Sequence, residues 1–349
     1  MRYAPEMVFA RGTSLSFSAA AAGSLLLWLA VATGAGAADD KIFVMKIALA
    51  TLDDGLHQYA KNYAAAIAQG SGGRIKPEIY PSSQLGSIAR QTEGVQFGAI
   101  QCQIVAPEFL AGIDERFEVL AAPGLVASVV QGQRVAADTG VIKLMLGLGA
   151  DKGLHGVGLF MNSQSAIAAR APIRRLADFK GKTIRIFASA FQSVAIERLG
   201  AIAKPMTLGA VLPALQDHAL DGAISTLAVF SIMHYQKAAK YVTETGQPAI
   251  FGIVEISRKW FDALPADLQQ IVENNAAANS TAINPQAVAI NENARRAWIE
   301  QGGELISLPT DEQTAMLQTL ASVGEEVSKT KPQLRAAYEI VREAAQRAR

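Results

Sequence analysis

The chain has 349 residues, half of them hydrophobic, which is enough to build two domains with separate cores. Its 32 basic and 31 acidic side chains nearly balance, and no basic run with interleaved aromatic residues is present. Both features argue against a nucleic-acid-binding protein, because such proteins draw much of their affinity from clustered positive charge.

The N-terminal segment has the pattern of an export signal. Arg2 and Arg11 precede a short apolar run, and small residues follow up to Ala38. We therefore expect residues 1–38 to be a signal peptide that is cleaved after Ala37 or Ala38. An uncleaved anchor helix is the alternative. It would need about 20 consecutive apolar residues, and here Gly, Ser and Thr interrupt the run. No second long apolar segment follows, so we expect a soluble mature protein that does not span the membrane.

The first half of the mature chain alternates strand and helix patterns. The predicted elements are a strand 44–50, a helix 55–69, a strand 74–80, a helix 87–97, a strand 99–105, a helix 129–148 and a strand 156–161. Pro77 favours an edge position for its strand because proline has no N–H to donate to a neighbour. The strand 156–161 is expected to cross between two lobes.

Cys102 is the only cysteine, so no internal disulfide can form. It alternates with Ile100 and Ile104 on one face of the predicted strand. A nucleophilic role would require a nearby base and an electropositive setting, which the local sequence does not supply. We therefore predict that Cys102 is a core residue.

The second half repeats the alternation. The predicted elements are a turn with a short helix 172–179, a strand 183–187, a helix 189–199, a helix covering 208–215, a strand 220–225, a long helical region from Ala266 with a possible kink at Pro285, and helices over 311–349. Residues 94–101 and 214–221 are similar phrases that each join a helix to a strand. This repeat predicts two lobes of mostly parallel sheet and helices that meet across a ligand-binding cleft.

No catalytic or cofactor motif is found. The four histidines, His57, His155, His218 and His234, lack Cys or carboxylate partners at metal-ligand spacing. A nucleophile elbow, a phosphate loop and a dinucleotide fingerprint are also absent from the sequence. No cofactor or metal is therefore predicted, and the pattern favours a binding protein over an enzyme.

Arg185 is the strongest single candidate for contact with a ligand. Ile184 and Ile186 take one face of the predicted strand, and Arg185 takes the other near its carboxyl end. Ligands of open α/β sheets bind outside these ends, and a guanidinium there can hold a carboxylate with two hydrogen bonds. A surface arginine on an exposed strand face is the alternative.

Several short sequence segments, in their order along the chain, resemble those of the solute-binding proteins of tripartite ATP-independent periplasmic (TRAP) transporters. They are YPSSQLG at 80–86, GVQFG at 94–98, DFKGKTIRI at 178–186, PM at 205–206, ALQ at 214–216, LDG at 220–222, KYVT at 240–243 and WFDALP at 260–265. The resemblance covers nearly all of the mature chain. It implies an α/β, two-lobe, periplasmic-binding-protein-like (type II) fold with a long helix within 266–301 that spans both lobes.

The same resemblance implies a receptor that closes on a small organic acid and delivers it to TRAP membrane permease subunits. Arg185 stands where the family places its carboxylate-binding arginine. Gln164 stands where many relatives carry a second arginine, and Ser225 replaces an amide-bearing residue. Arg90 replaces a commonly acidic residue and is either a second cation of the site or a solvated side chain. Phe187 is expected to form an apolar wall.

We therefore predict a periplasmic receptor for an organic acid, more consistent with a monocarboxylate or keto acid than a sugar acid. The predicted lobe one comprises 39–161 and 251–289, and lobe two comprises 162–250 and 290–349. Two alternatives stay open. One is an exported enzyme acting on an organic acid, for which His57 and Asp54 are the neighbouring candidates. The other is a sensory receptor that presents its ligand to a signalling partner.

Overall fold

Two β-sheets organise the structure, a computed structural model that describes residues 41–349. The predicted signal peptide lies outside the described residues. The strands are β1 (Phe43–Ala48), β2 (Ile75–Tyr80), β3 (Cys102–Val105), β4 (Leu154–Gln164), β5 (Ala166–Ala169), β6 (Thr183–Ile186), β7 (Ile202–Pro205), β8 (Gly222–Ser225), β9 (Tyr241–Glu244), β10 (Ala249–Ser257) and β11 (Glu304–Ser307).

The helices cover the faces of both sheets. They are α1 (Gly55–Gly70), α2 (Ile88–Phe97), α3 (Val129–Ala136), α4 (Thr139–Gly147), α5 (Ala190–Arg198), α6 (Leu208–Gln216), α7 (Leu227–Ile232), α8 (Arg258–Asp262), α9 (Ala266–Ala282), α10 (Asn284–Glu300), α11 (Thr310–Leu320), α12 (Val323–Ser328) and α13 (Pro332–Arg347). Short 3₁₀ helices lie at Pro107–Leu110, Glu115–Ala121, Ala150–Lys152, Leu176–Phe179 and Tyr235–Lys237. None of the helices within residues 41–349 combines the length and the apolar composition that a membrane span requires.

Each sheet is parallel except for one reversed strand, as predicted for an α/β protein. The first sheet has the order β2-β1-β3-β10-β4, and β10 runs antiparallel to both of its neighbours. The second sheet has the order β11-β9-β5-β8-β6-β7, and β5 is the reversed strand. Strand β2, which contains Pro77, lies at an edge, so its missing N–H breaks no ladder on the open side.

The chain passes between the sheets through short connections. Only Ser165 separates β4 of the first sheet from β5 of the second, and residues 245–248 separate β9 from β10. The predicted long helix is α9 followed by α10, with a break at Ile283. Helix α9 packs on α1 and β4, whereas α10 packs on α7 and β11. Pro285 lacks the N–H that would bond the carbonyl of Thr281, which is consistent with the break at this point.

The apolar core has a layer on each face of each sheet. Between the first sheet and α1 with α9, the layer includes Ile47, Cys102 and Leu268, so Cys102 is the core residue that its alternation predicted. The opposite layer includes Val135 of α3 and Val341 of α13. The second sheet has one layer toward α6, α7 and α10 and another toward α5.

The single helix predicted over 129–148 is wrong, because the structure has two helices there. Asp138 lies between α3 and α4, where its side chain accepts hydrogen bonds from the backbone N–H groups of Gly140 and Val141. A side-chain cap of this kind begins a new helix instead of continuing the old one. The predicted lobe boundaries stay a prediction.

Candidate ligand-binding site

A cavity of about 50 Å³ lies between residues of the two sheets. It is bordered where β1, β3, β6 and β8 end, which is the edge at which open α/β sheets bind ligands. The residues that line it are Ala50, Thr51, Asp54, Leu56, Ile88, Ile104, Val105, Ala106, Phe109, Asn162, Arg185, Phe187, Leu208, Ser225, Thr226, Val229 and Ile250. Most of these side chains are apolar, so the few polar groups dominate its electrostatics.

Arg185 is buried at this cavity, with 1% of the residue exposed. Ile184 and Ile186 pack into the core on the other face of β6, which fixes the strand and directs Arg185 away from that core. The guanidinium Nε donates to the carbonyl of Met206 at 2.9 Å, and Nη1 donates to the carbonyl of Ile224 at 3.0 Å. The charged group is thereby held in one orientation before any ligand arrives.

The same guanidinium has no carboxylate partner within residues 41–349. Its Nη2 is buried without a hydrogen-bond acceptor in this part of the chain. Burial lowers the pKa of Arg185 to about 10, so the group stays cationic at neutral pH. A buried cation without a counter-ion and with a free donor is therefore available to an anion in the cavity.

Phe187 and Ser225 border the same cavity as Arg185. The guanidinium carbon of Arg185 lies 4.7 Å from the centroid of the Phe187 ring. That ring stacks on Phe109, which belongs to the 3₁₀ helix after β3, at 4.9 Å between centroids. The pair of rings closes one side of the cavity with residues from both halves of the fold. Ser225 ends β8 and is buried.

The structure does not bring Arg90 or Gln164 to this cavity. Arg90 is exposed on α2, and the residue of that helix that borders the cavity is Ile88. The side-chain amide of Gln164 donates to the carbonyl of Ala127 at 3.2 Å and faces a separate hollow. Of the five predicted ligand contacts, three therefore line the cavity (Arg185, Phe187 and Ser225), and Arg90 and Gln164 lie elsewhere.

Two polar residues that line the cavity, Asp54 and Asn162, were not among the ligand contacts predicted from the sequence. Asp54 is the N-cap of α1, and burial raises its pKa to about 6. A carboxylate that follows the carboxyl end of β1 was the signal available for it. Asn162 lies in β4 at a register shift opposite Ile250 and Phe251, and no sequence pattern marks that irregularity.

His57 and Asp54 do not form an acid–base pair. The Nδ1 atom of His57 accepts from the backbone N–H of Asp53 at 3.0 Å, while Asp54 Oδ1 accepts from the backbone N–H of His57. One ring nitrogen of His57 and one carboxylate oxygen of Asp54 therefore bond the backbone at the start of α1, and the two side chains do not bond each other. Among the described residues, no group of three or more His, Cys, Asp or Glu side chains is placed to hold a metal ion.

The buried guanidinium of Arg185 thus borders a cavity between the two sheets of an α/β fold. A family model described as "Bacterial extracellular solute-binding protein, family 7" (DctP) matches residues 49–330. The chain therefore belongs to this DctP family of TRAP solute-binding proteins. TRAP solute-binding proteins work with membrane permeases.

Three similar proteins illustrate the relationship. The chain is 28% identical over 208 residues to the uncharacterised protein YiiZ of Salmonella typhimurium, which covers 59% of this chain and 64% of YiiZ. It is 26% identical over 262 residues to the C4-dicarboxylate-binding periplasmic protein DctP of Rhodobacter capsulatus, covering 73% of this chain and 77% of that one. Part of each relative thus lies outside the match.

The third is a solved structure. A TRAP periplasmic solute-binding protein of Desulfovibrio salexigens with bound orotic acid superposes with a TM-score of 0.82 at 21% identity. The superposition covers 88% of this chain and 100% of that protein. This likeness confirms the predicted two-lobe type II fold.

Proposed function

We propose that this protein is an exported periplasmic receptor that captures a small organic acid between its lobes and delivers it to a TRAP membrane permease. The observation that carries the proposal is Arg185, a buried guanidinium with a free Nη2 at a cavity. A carboxylate would accept from that donor and neutralise the buried charge. Hydrogen bonds to charged groups contribute about 1.5–3 kcal/mol each, which is enough to give the acid group a dominant share of the affinity.

The lining of the cavity supports a short monocarboxylic acid over a sugar acid. A sugar acid carries a hydroxyl on almost every carbon, and each would need a partner on burial. The walls here are mainly aliphatic and aromatic, and the volume is about 50 Å³. The similar proteins named above bind a C4-dicarboxylate and orotic acid, which also carry carboxylates.

Thermal-shift screening and titration calorimetry with short organic acids test this function. We expect at least one acid to raise the melting temperature of the wild type, and Arg185→Met to weaken its binding by about tenfold or more. Arg175→Met is the matched control, because its side chain is 69% exposed. Neutral sugars that stabilise the protein while no carboxylate does, or full affinity in Arg185→Met, would contradict the proposal.

The two predicted contacts outside the cavity have their own test. Titrating the same acid into Arg90→Met and Gln164→Ala measures whether either side chain contributes. A loss of affinity in one of these variants would support that predicted contact and would require the residue to reach the cavity in the bound state.

We further infer a receptor without catalytic activity, since the side chains of His57 and Asp54 do not bond each other and so form no acid–base pair. Mass spectrometry of each acid after incubation with the protein tests this inference, and a chemically altered acid would contradict it. Delivery to a permease is distinguished from signalling by identifying the membrane partner that co-purifies with the ligand-loaded protein. A sensor protein in that position would favour the sensory alternative.

A further inference from the structure

Asp54 has a carboxylate oxygen that its role as a helix cap does not explain. Its Oδ1 accepts from the hydroxyl of Thr51 at 2.8 Å and from the backbone N–H of His57 at 3.0 Å. Its Oδ2 is buried without a hydrogen-bond partner in the part of the chain that the structure describes. Capping a helix uses one oxygen of the carboxylate, so the second oxygen needs another explanation.

In two other aspartates that cap helices in this structure, the second carboxylate oxygen bonds an arginine. Asp138 caps α4 with Oδ1 and pairs its Oδ2 with Arg347 at 2.8 Å. Asp114 caps the 3₁₀ helix Glu115–Ala121 and pairs its Oδ2 with Arg116. Asp54 forms no ion pair within residues 41–349, and 1% of the residue is exposed. Of these three caps, Asp54 is the one whose second oxygen is buried and pairs with no arginine within residues 41–349.

Asp54 also borders the cavity that contains Arg185. It belongs to the loop after β1, whereas Arg185 comes from β6 of the other sheet. The cavity therefore holds one buried donor without an acceptor and one buried acceptor without a donor. A plain carboxylate would satisfy the first and leave the second unpaired, and an unpaired buried acceptor costs free energy.

We propose that Asp54 binds a hydrogen-bond donor on the ligand, so that the ligand is a small carboxylic acid carrying a hydroxyl or ammonium group. The proposal rests on the function proposed above and narrows it. The carboxylate of the ligand bonds Arg185, and its hydroxyl or ammonium group donates to Asp54 Oδ2. A keto acid has an acceptor at that position and is disfavoured while Asp54 is ionised. This preference changes the expectation from the sequence, which ranked keto acids with other monocarboxylates.

Matched acids that differ at one carbon test the proposal. Each set contains the plain, 2-oxo, 2-hydroxy and 2-amino acids on one skeleton: propionate, pyruvate, lactate and alanine, and the corresponding four acids of isovalerate. Calorimetry on the wild type should give a hydroxy or amino acid about tenfold or more tighter binding than the plain and oxo acids of its set. Comparing the 2-hydroxy acid with the 2-amino acid of each set shows whether the donor is a hydroxyl or an ammonium group.

Asp54→Asn is the informative variant because asparagine is also a good N-cap, while its amide replaces the second acceptor with a donor. We expect it to abolish the preference for the hydroxy or amino acid. Asp138→Asn is the matched control and should leave the preference unchanged, because Asp138 caps a helix away from the cavity.

The outcomes separate this proposal from the function on which it rests. If acids bind through Arg185 with equal affinity across each set, or if Asp54→Asn keeps the wild-type preference, the role of Asp54 is overturned and the acid receptor stands. If no acid of either set and no acid of the thermal-shift screen binds the wild type, both are overturned. The comparison within the wild type decides the question even if Asp54→Asn fails to fold.

Discussion

Arg185, the proposed carboxylate contact, illustrates how a residue placed for binding can oppose the stability of the protein that carries it. Transfer of a charged side chain from water into a dry interior is costly unless it is paired. Two backbone carbonyls satisfy part of the guanidinium, but they do not neutralise its charge. Under the proposed function this cost is recovered when an anion enters, so the same burial that destabilises the empty protein increases the gain in free energy on binding.

Glu255 is a buried titratable group of a different kind, and its effect on the pH dependence of stability can be predicted. It lies in β10 with 0% exposure, and neither carboxylate oxygen has a partner within residues 41–349. Burial raises its pKa well above the usual 4.5, so the folded protein holds the proton. The stability that this proton gives is fully present below pH 4.5 and is lost as the pH rises toward the folded-state pKa.

We therefore expect Glu255→Gln to unfold like the wild type near pH 4 and to be more stable at pH 7.5. The free energy of unfolding of Glu255→Gln should exceed that of the wild type by up to about 1.4 kcal/mol more for each pH unit above 4.5, because the variant lacks one titrating proton. Urea unfolding at several pH values measures it, with the exposed Glu300→Gln as control. A difference that is constant with pH would show that Glu255 is ionised in the folded protein.

At the scale of elements, the sequence predicts best where one local pattern decides the structure. Alternation places Arg185 opposite Ile184 and Ile186, and Pro77 places β2 at an edge, because each depends on neighbouring residues alone. Asn162 was missed because its position depends on a register shift between β4 and β10, which are far apart in sequence. Arg90 is a similar case, since the rotation of α2 on its sheet decides which side chain faces the cavity.

Gly55 at the start of α1 shows how close packing can depend on a missing side chain. A Cβ added at Gly55 would overlap Oδ1 of Asn162 unless that amide moves. Gly209, near the start of α6, has open space at the same point. Both glycines lie in first turns of helices, so they form a matched pair.

We expect Gly209→Ala to stabilise the protein by up to about 1 kcal/mol, because alanine loses less backbone freedom than glycine on folding. Gly55→Ala should increase the stability by less than Gly209→Ala does. It should also weaken ligand binding, because it displaces Asn162 from the cavity. Chemical denaturation and calorimetry on the two variants give both quantities. Equal gains in stability with unchanged affinity would show that the amide of Asn162 does not contribute to binding.

For the whole molecule, the repeated helix–strand phrase was sufficient to predict two lobes. It carries no information on where the C-terminal helices pack: α13 contacts α3 and α4, which precede it by about 200 residues in sequence. Such contacts between distant segments leave no local pattern. The same holds for Glu118, whose carboxylate accepts from the backbone N–H of Ala190 at the start of α5 at 2.5 Å and so ties the second sheet's helix to the first half.

The cavity has walls from both halves of the fold, so we expect the ligand to favour a closed arrangement of the lobes. Asp54 and Phe109 lie on one side, and Arg185 and Phe187 lie on the other. A ligand that contacts both sides only when they approach stabilises that state by its difference in affinity. At about 100 times its dissociation constant it should also stabilise the fold by about 2.7 kcal/mol.

Small-angle X-ray scattering measures this closure directly. We expect the radius of gyration of the wild type to fall when a binding acid is added, and that of Arg185→Met to stay the same at the same concentration. The exposed Arg175→Met should respond like the wild type. If calorimetry detects binding to the wild type while its scattering curve does not change, the lobes are already closed without ligand. Binding would then use a preformed cavity, and exchange of the ligand would require transient opening.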